Sequence, residues 1–383
     1  MQIIYAKQPH PSSWSAAIFL AGPTPRSADV PSWRPEALRL LEAAGYNGVV
    51  FIPEDAEGEF RGTYIDQVAW ERDALAASDC VLFWVPRDLS TMPAFTTNVE
   101  FGLWVQSGRA VLGYPKGSPK NRYLGWLARE HKAPVCHTLA ETVQTALDRV
   151  TPGAERSGGE RGVPLMLWRT PSFQGWYRQL LAAGNALESA RLRWSYTPSR
   201  ATQPFVWILQ VKVWIAVEER FKKNEWVFAR SDLSAVLLHG PVAEDVMQTE
   251  VVLVREYRAP ARTADGFIYE LPGGSSYTET DPEIVAAEEV HEETGLHIAS
   301  DRLIPVASRQ LAGTLSSHIG HLYRVALSAA ELEEARALIG TEHGVEGSSE
   351  RTMVMLWTVG EIVADERTDW STVGMVLAAL RGV

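Results

Sequence analysis

Residues 80–102 read CVLFWVPRDLSTMPAFTTNVEFG, and the first part of the chain is organised around this stretch. Its apolar beginning, residues 80–86, is typical of a β-strand that is buried on both faces. Thr96-Thr97-Asn98 are residue types that begin helices, and an amphipathic run follows them. The stretch therefore predicts a buried strand followed by a helix whose first turn contains Glu100.

A carboxylate in the first turn of a helix meets free backbone N–H groups and the positive end of the helix dipole, which favour its ionised form. An ionised and oriented Glu100 can act as a nucleophile or stabilise an oxocarbenium-like centre. The alternative is an ordinary first-turn glutamate. The stretch alone does not decide between these two interpretations, so the surrounding residues are needed.

Continuous apolar runs alternate with amphipathic ones throughout residues 1–150. This alternation is typical of a parallel sheet that is covered by helices on both faces. We therefore predict an α/β domain with a doubly wound parallel sheet, of the Rossmann or flavodoxin-like kind, over residues 1–150. Besides the strand that begins at Cys80, the predicted strands are Ala17–Ala21, Val49–Ile52, Ala110–Gly113 and 135–138.

Polar residues follow the first three strands of this predicted sheet. Ligands of such sheets bind at the carboxyl ends of the strands, so these residues and Glu100 are expected to meet at one cleft. The first loop, with Arg26, is a candidate phosphate cradle, and a surface turn is the alternative. The residues are Thr24, Arg26 and Ser27 after the first strand, Glu54 and Asp55 after the second, and Arg87 after the third.

The composition, with 46% apolar and 22% charged residues, is that of a globular protein, and 383 residues predict two domains. The net charge of −11 argues against general nucleic-acid binding. The sequence has neither the pattern of a signal peptide nor an apolar run of membrane-spanning length. We therefore expect a cytoplasmic protein without a nucleic-acid or membrane partner.

The middle of the chain predicts a join between the two domains. Residues 151–163 are rich in glycine and charge, a composition typical of linkers. Residues 173–191 show helical periodicity, and residues 194–204 are typical of a loop. We therefore predict a linker with a packing helix at 151–205 and a second, strand-rich domain at 206–383.

The first domain resembles the nucleoside 2-deoxyribosyltransferase-like family over roughly residues 15–130. The resemblance is carried by five segments: residues 22–26, Ser32-Trp33-Arg34, Trp70-Glu71, residues 79–87 and residues 96–102, of which Asn-Val-Glu-Phe-Gly at 98–102 is the most specific. It implies attack by Glu100 on the anomeric carbon of a (deoxy)nucleoside or nucleotide, after which water or a second base resolves the glycosyl-enzyme.

The same resemblance implies roles for other residues. Asp79 matches an aspartate near the nucleobase and is a second catalytic candidate, although a strand-start aspartate that caps a turn is a close alternative. Arg87 and Asn98 are candidate substrate contacts. In relatives that hydrolyse nucleotides the first loop holds the 5′-phosphate, which here would involve Gly22, Thr24, Arg26 and Ser27. Family transferases complete their sites from a neighbouring subunit, which leaves open whether this chain forms a homo-oligomer.

The second half contains a helix predicted to begin at Asp281-Pro282 and to end at Gly295. Glu289, Glu292 and Glu293 project from one face of it, and such carboxylates suit Mg²⁺ that is also bound to phosphates. A solvated acidic face is the alternative. With Gly273-Gly274 before it, the segment resembles the Nudix box, which implies that the three glutamates are metal ligands in an α/β/α domain with a mixed sheet.

The match to the Nudix box is incomplete. Thr280 stands where the pattern has a glutamate and Glu288 where it has an arginine, which predicts weaker metal binding or a lost reaction. Glu279 lies next to the missing glutamate. Arg258 and Glu270 lie in segments that resemble the ADP-ribose pyrophosphatase branch, in which they contact substrate; a structural Arg258–Glu270 pair is the alternative. That branch takes a general base from a later loop, for which the candidates are Glu342, Glu346 and Glu350.

The leading hypothesis is a bifunctional enzyme of nucleotide metabolism. The first domain would cleave or exchange an N-glycosidic bond through Glu100 without a cofactor, and the second would hydrolyse a pyrophosphate bond of a nucleoside diphosphate derivative with Mg²⁺. The alternative is a glycosidase or transferase that is regulated by a degenerate Nudix domain, which senses a nucleotide without turning it over. A catalytically silent scaffold is the third hypothesis.

Overall fold

The computed structural model describes residues 1–27, 29–55, 63–199, 201–276, 280–344 and 350–381. Two compact units divide the chain: unit 1 comprises Met1–Thr197 and Thr202–Val227, and unit 2 comprises Pro198–Ala201 and Phe228–Val383. The division between the units therefore falls after residue 227, and not at residue 205 as the change of sequence pattern predicted. None of the described helices has the length and apolar character required to cross a bilayer.

The strands of unit 1 are β1 Gln2–Tyr5, β2 Ser13–Trp14, β3 Ala17–Ala21, β4 Val49–Ile52, β5 Cys80–Trp84, β6 Ala110–Gly113, β7 Val135–Cys136, β8 Arg156–Ser157, β9 Ala186–Tyr196, β10 Val206–Ile215 and β11 Arg220–Arg230, the last of which runs past the division. Its helices are α1 Arg34–Ala43, α2 Tyr64–Ala77, α3 Phe95–Trp104, α4 Arg122–Glu130, α5 Leu139–Val150, α6 Leu165–Trp168 and α7 Pro171–Ala182.

The main sheet of unit 1 is parallel and has the order β1-β4-β3-β5-β6-β7. Alternate residues of β3 point to opposite faces: Phe19 packs in the layer that includes Phe101 of α3, whereas Leu20 packs in the layer that includes Leu41 of α1. Helices thus cover both faces, which confirms the predicted parallel α/β domain. The order reverses between β3 and β5, and such a switch point opens a crevice at the carboxyl ends of these two strands.

The segment that was predicted to be a linker is ordered and belongs to unit 1. Residues of β8 pair with β2, and the Arg156 side chain is fully buried. The helix predicted for residues 173–191 ends instead at Ala182, before Gly184 at a φ of 75°. The chain continues as β9, which pairs antiparallel with β10 in a second sheet of order β11-β10-β9. Local composition failed here because pairing with a strand that comes later in the chain overrides helical periodicity.

Unit 2 contains a mixed sheet of order β16-β17-β12-β13-β19-β18, to which β14 and β15 add by pairing with β13 and β12. Its strands are β12 Leu233–His239, β13 Glu250–Tyr257, β14 Phe267–Glu270, β15 Gly273–Gly274, β16 Ile304–Gln310, β17 Ile319–Ala326, β18 Glu342–His343 and β19 Thr352–Thr358. Its helices are α8 Pro282–Thr294, α9 Ala329–Ala337, α10 Val359–Ala364 and α11 Trp370–Leu380.

Helices pack on both faces of this second sheet. On one face Val236 and Leu238 of β12 pack in a core layer that includes Ala286 and Val290 of α8. On the other face, the layer that contains Ala235 and Leu237 includes residues of α10 and α11. Unit 2 is therefore a mixed sheet between two helical layers.

Candidate active site

A cleft of about 1190 Å³ lies in unit 1 between α2 and α3, and it opens beside the carboxyl end of β3. Both helices pack on the same face of the parallel sheet, and each runs from the carboxyl edge of the sheet towards its amino edge. The cleft is lined by Gly22, Thr24 and Arg26 of the first loop, Glu54 and Asp55 after β4, Gln67, Glu71, Arg72 and Leu75 of α2, Thr97, Glu100, Leu103 and Trp104 of α3, and residues 191–195 of β9.

Gly22 fixes the path of the first loop at the mouth of the cleft. Its φ is +151°, and a Cβ added there would lie 2.2 Å from the Trp84 carbonyl oxygen and 2.8 Å from the Trp33 ring. No other residue fits this approach without moving the backbone of β5. Gly22 therefore shapes the cleft by its lack of a side chain.

Glu100 lies in the cleft, but it is not in the first turn of its helix. Helix α3 begins at Phe95, one residue earlier than Thr96, and Ala94 precedes it in the left-handed region at a φ of 58°. Glu100 is thus the sixth residue of α3, and the free amides and the dipole of the helix end do not set its charge. That expectation is corrected: the turn at Ala94, which the sequence pattern did not reveal, starts the helix early.

The charge of Glu100 is set by its surroundings in the cleft. Two causes raise the pKa of Glu100 to about 7: burial is the larger, and the charge of the nearby Glu71 carboxylate is the second. The positive charge of Arg34 partly opposes them. Burial also raises the pKa of Glu71, while the Gln67 amide, which donates to it at 2.8 Å, and Arg34 favour its ionised form. The cleft therefore holds a pair of carboxyl groups whose pKa values are both raised.

Arg34 links the first loop to Glu54, which follows β4. Its guanidinium is buried, with 1% of the side chain exposed, and forms an ion pair with Glu54. It donates to the carbonyl oxygens of Leu20 at 3.2 Å and Gly22 at 2.8 Å, and to Thr24 Oγ1 at 3.1 Å. The site thus contains a fixed positive charge that was assigned no role from the sequence.

Glu71 and Arg34 were also missed as functional residues, although both lie in segments that carry the family resemblance. Their signal was their presence in Trp70-Glu71 and Ser32-Trp33-Arg34. Neither segment alone shows that its charge acts on Glu100, because the three residues belong to three separate helices. Only the tertiary fold, which places α1 on one face of the sheet and α2 and α3 on the other, brings the three charges near one another.

Asp79 lies away from the cleft, and its surroundings indicate a structural role that corrects the catalytic expectation. Its buried carboxylate forms a two-point ion pair with Arg156, at 2.8 Å and 2.6 Å. It also accepts hydrogen bonds from the backbone N–H groups of Ala17 and Leu165, each at 2.8 Å. With its oxygens used in this way, Asp79 ties β3, β5 and the 151–165 segment together.

Arg87 and Asn98 are likewise placed by contacts with each other and not by the cleft. Arg87 is buried; its guanidinium donates to Asn98 Oδ1 at 2.6 Å, to Asn121 Oδ1 at 3.0 Å and to the Pro93 carbonyl oxygen at 2.9 Å. Neither residue lines the cleft. Both therefore position the turn that leads into α3, which corrects their expected role as substrate contacts.

The first loop reaches the cleft only in part. Thr24 and Arg26 line it and are exposed, and the Arg26 guanidinium lies 5.7 Å from the centre of the Phe95 ring. Ser27 is exposed outside the lining and exchanges hydrogen bonds with Asp29 at 3.2 Å. Of the four predicted phosphate contacts, the structure thus brings Gly22, Thr24 and Arg26 to the cleft and leaves Ser27 outside it.

Among the described residues of unit 2, the group of three carboxylates that could hold a metal ion is not the predicted set. Oxygen atoms of Glu256, Glu293 and Glu350 lie within 4.8 Å of one another. Glu293 is on α8 and accepts a hydrogen bond from the Gly273 N–H at 2.8 Å. Glu289 lies against Gly274, whereas Glu292 is exposed. Two other candidates from the sequence, Glu279 and Glu346, lie outside the described residues.

Arg258 and Glu270 form the structural pair that was one of the two alternatives for them. Arg258 Nε lies 2.8 Å from Glu270 Oε1, and Arg258 Nη2 lies 2.5 Å from the same oxygen. The Nη2 atom is also 2.8 Å from Glu256 Oε2. Arg258 therefore places a positive charge beside the carboxylate group of Glu256 and Glu293.

Comparison with known families bears on unit 1. The model of the family described as "Nucleoside 2-deoxyribosyltransferase like" matches residues 15–118, a range that contains β3 to β6 and both Glu71 and Glu100. No curated protein matches the chain. The match covers the sheet edge and the two helices that form most of the cleft, and it does not extend to unit 2. The similarity of residues 15–118 to this nucleoside 2-deoxyribosyltransferase-like family suggests an enzyme of glycosyl transfer.

Proposed function

We propose that unit 1 cleaves or exchanges the N-glycosidic bond of a (deoxy)nucleoside or nucleotide in this cleft, with Glu100 as the attacking group. The observation that carries the proposal is that Glu100 and Glu71 line one cleft at the switch point of a parallel sheet, with the buried charge of Arg34 near enough to favour the ionised form of Glu100. Enzymes that cleave glycosidic bonds usually do so with a pair of carboxyl groups that flank the scissile bond. The family match over this region supports the same chemistry.

The pair of carboxyl groups can divide the two tasks of the reaction. In the active form Glu100 is ionised, and its oxygen forms a bond to the anomeric carbon while the bond from that carbon to the base nitrogen breaks. The departing base takes the electron pair and a proton, which Glu71 supplies in its protonated form. Water or a second base then attacks the glycosyl ester, returns Glu100 to its carboxylate and gives a proton back to Glu71.

Arg34 acts in this scheme as a positioning residue. It is buried and hydrogen-bonded to the first loop, so its charge stays in place whether or not a ligand is bound. A fixed positive charge near Glu100 keeps part of the carboxylate ionised in spite of burial, as nucleophilic attack requires. The cleft thus balances a protonated and an ionised carboxyl group.

The test is base release from a panel of nucleosides and their 5′-monophosphates, followed by chromatography. We expect release by wild type and loss of release by Glu100→Ala, with Glu42→Ala as a control that removes an exposed carboxylate of α1. Mass spectrometry of a peptide containing Glu100, after rapid quenching with substrate, should show an added glycosyl group. Release that persists in Glu100→Ala would remove the proposed nucleophile.

A second candidate function concerns unit 2, and the close approach of Glu256, Glu293 and Glu350 favours it. Glu256 Oε2 is buried and has no hydrogen-bond partner among the described residues; its ion pair with Arg258 is close but not in hydrogen-bond geometry. A group of carboxylates with an unsatisfied oxygen fits a hard divalent cation. We infer that unit 2 is a Nudix-like domain in which these three residues, and not Glu289 or Glu292, would bind the metal ion.

A divalent cation bound there would neutralise charge on a diphosphate and favour attack by water. The residues of the chain would hold the cation through Glu256, Glu293 and Glu350, and Arg258 would add a positive charge beside them. Calorimetry with Mg²⁺ and with Mn²⁺ tests the site, with Glu256→Gln expected to lose binding and the exposed Glu283→Gln as control. Hydrolysis of nucleoside diphosphate derivatives would indicate an enzyme, whereas nucleotide binding without turnover would indicate the regulatory alternative.

A further inference from the structure

The cleft of unit 1 extends beyond the carboxyl groups, towards the amino edge of the parallel sheet. There it is lined by Leu75 near the end of α2, by Ser107 and Arg109 before β6, and by β9. With a rise of about 1.5 Å per helical residue, Ser107 lies about 10 Å along the helix from Glu100. This far end is therefore separate from the first loop, which lies at the opposite, carboxyl edge of the sheet.

Arginine side chains from three parts of the fold meet at the far end. Arg72 comes from α2, Arg109 from the residue before β6, and Arg191 and Arg193 from β9. They are close enough to affect one another: Arg72 and Arg193 both lower the pKa of Arg191, whose largest cause of lowering is burial. Like charges repel, so their convergence at a concave surface is unfavourable unless an anion lies among them.

Few carboxylates offset these charges. Arg72 pairs with the adjacent Asp73 at 3.2 Å, and Arg193 donates to the neutral Gln210 amide oxygen at 2.8 Å. No hydrogen bond or ion pair involves the Arg191 guanidinium within the described ranges of the chain. In a protein with a net charge of −11, a positive group of this kind is a local exception.

Arg109 is the buried member of this group of arginines. Only 4% of it is exposed, its Nη1 donates to the Ala76 carbonyl oxygen at 3.1 Å, and its guanidinium lies 4.8 Å from the centre of the Trp104 ring. Its position is fixed by these contacts, unlike that of the more exposed arginines, and its positive charge lies in a low-dielectric environment. The far end thus has one fixed and several adjustable guanidinium groups, a usual arrangement for binding a phosphoryl group.

We propose that Arg72, Arg191 and Arg193 form a subsite for a phosphoryl group of the nucleotide whose glycosidic bond lies at Glu100. This subsite rests on the proposed glycosidic function and narrows its substrate to a phosphorylated nucleoside. It lies at the opposite end of the cleft from Arg26, and two of its residues belong to β9, outside the region of the family match. The second sheet of unit 1 therefore contributes to substrate recognition.

Binding measured by calorimetry tests the subsite without the need for turnover. The probes are the common ribonucleosides, their 5′-monophosphates and inorganic phosphate, each added to the full chain in a Glu100→Gln background so that ligand is not consumed. The test variant is Arg191→Ala with Arg193→Ala. Its matched controls are Arg129→Ala, an exposed arginine of α4 outside the cleft, and Arg191→Lys with Arg193→Lys, which keeps both charges.

We expect the monophosphate to bind more tightly than the nucleoside, and we expect this preference to fall by about tenfold for each arginine that is lost. The lysine variant should keep part of the preference and lose it with rising salt, because charge remains without the two-point geometry. Arg129→Ala should change nothing. A circular dichroism spectrum equal to that of the parent would show that the alanine variant is folded. If the alanine variant does not fold, the nucleotide preference of the lysine variant is compared with that of the parent instead.

Several results would overturn the subsite. One is a full preference for the monophosphate in the folded alanine variant, and another is the absence of any nucleotide binding by the parent protein. Inorganic phosphate that competes with the monophosphate supports the assignment; simultaneous binding of both would assign the arginines to free phosphate instead. Nucleotide binding that depends on Arg191 and Arg193, without base release by wild type, would keep the subsite and remove the glycosidic function.

Discussion

Replacing Glu71 by glutamine should lower the pKa of Glu100, because it removes one of the two causes that raise it. Burial and the Glu71 charge raise the pKa of Glu100 to about 7, and Arg34 acts against them. Glutamine keeps the size of the side chain and its hydrogen bonding with Gln67, but it has no charge. The substitution therefore tests the electrostatic coupling of the two side chains and leaves the packing of α2 in place.

The size of the effect follows from the order of the causes. The pKa of Glu100 rises from the ordinary value of 4.5 to about 7, and burial is the larger cause. The Glu71 charge therefore accounts for less than half of the increase, so its removal should lower the titration midpoint by about one pH unit. We expect a midpoint near pH 7 in wild type and near pH 6 in Glu71→Gln.

Carbon-13 NMR titration of the side-chain carboxyl groups measures this directly, with Glu100→Gln to assign the signal and Glu42→Gln as a control outside the cleft. Base release against pH provides a second readout: the rate should fall, because Glu71 is the proposed proton donor, and the acid limb of the remaining rate should move in the same direction as the midpoint. A midpoint that stays at pH 7 in Glu71→Gln would show that the two carboxyl groups are not coupled. A wild-type midpoint near 4.5 would refute the role of burial itself.

Two further substitutions separate structural from catalytic roles. Arg156→Met leaves the Asp79 carboxylate buried without its counter-charge, so urea denaturation should show a free energy of unfolding lower by about 3–5 kcal/mol, with Arg129→Met as the control. The rate of base release per folded molecule should stay the same. A large fall in that rate would instead indicate that Asp79 acts in the active site. Glu100→Gln should instead stabilise the protein at pH 8, by about 1–3 kcal/mol after allowance for partial exposure. The raised pKa means that the folded state binds more protons than the unfolded state between about pH 4.5 and 7, so wild type loses stability as pH rises through this window, whereas the glutamine variant does not. An equal gain at pH 4 and pH 8 would contradict this explanation.

The sequence determined the elements whose signals are local. The apolar strands of the first sheet, the helices between them and the position of Glu100 after β5 could be predicted, because buried parallel strands require continuous apolar runs. The helix of unit 2, from Pro282 to the stop at Gly295, was predicted for the same kind of reason, since its start and end signals lie within a few residues.

Signals that depend on distant partners were misread or missed. Residues 151–163 looked like a linker because they contain few apolar residues, yet Arg156 is buried by its ion pair with Asp79, which lies 77 residues earlier in the chain. Residues 186–191 looked helical and became part of β9, because β10 provides pairing partners 19 to 28 residues later in the chain. The boundary between the units lies after residue 227, and not at residue 205, for the same reason: β10 and β11 join β9 in one sheet of unit 1.

The candidate sites show the same division between local and distant information. The sequence identified Glu100 and Glu293 as chemically active types of residue, but it could not show that Glu71 and Arg34 would set the charge of the first, or that Glu256 of β13 would approach the second. It assigned Asp79, Arg87 and Asn98 to the substrate, whereas in the structure their polar atoms bind the protein itself. Residue type and spacing determine what a side chain is able to do; burial, charge and hydrogen-bond partners, which come from segments far apart in the chain, decide which of those abilities remains available to a ligand.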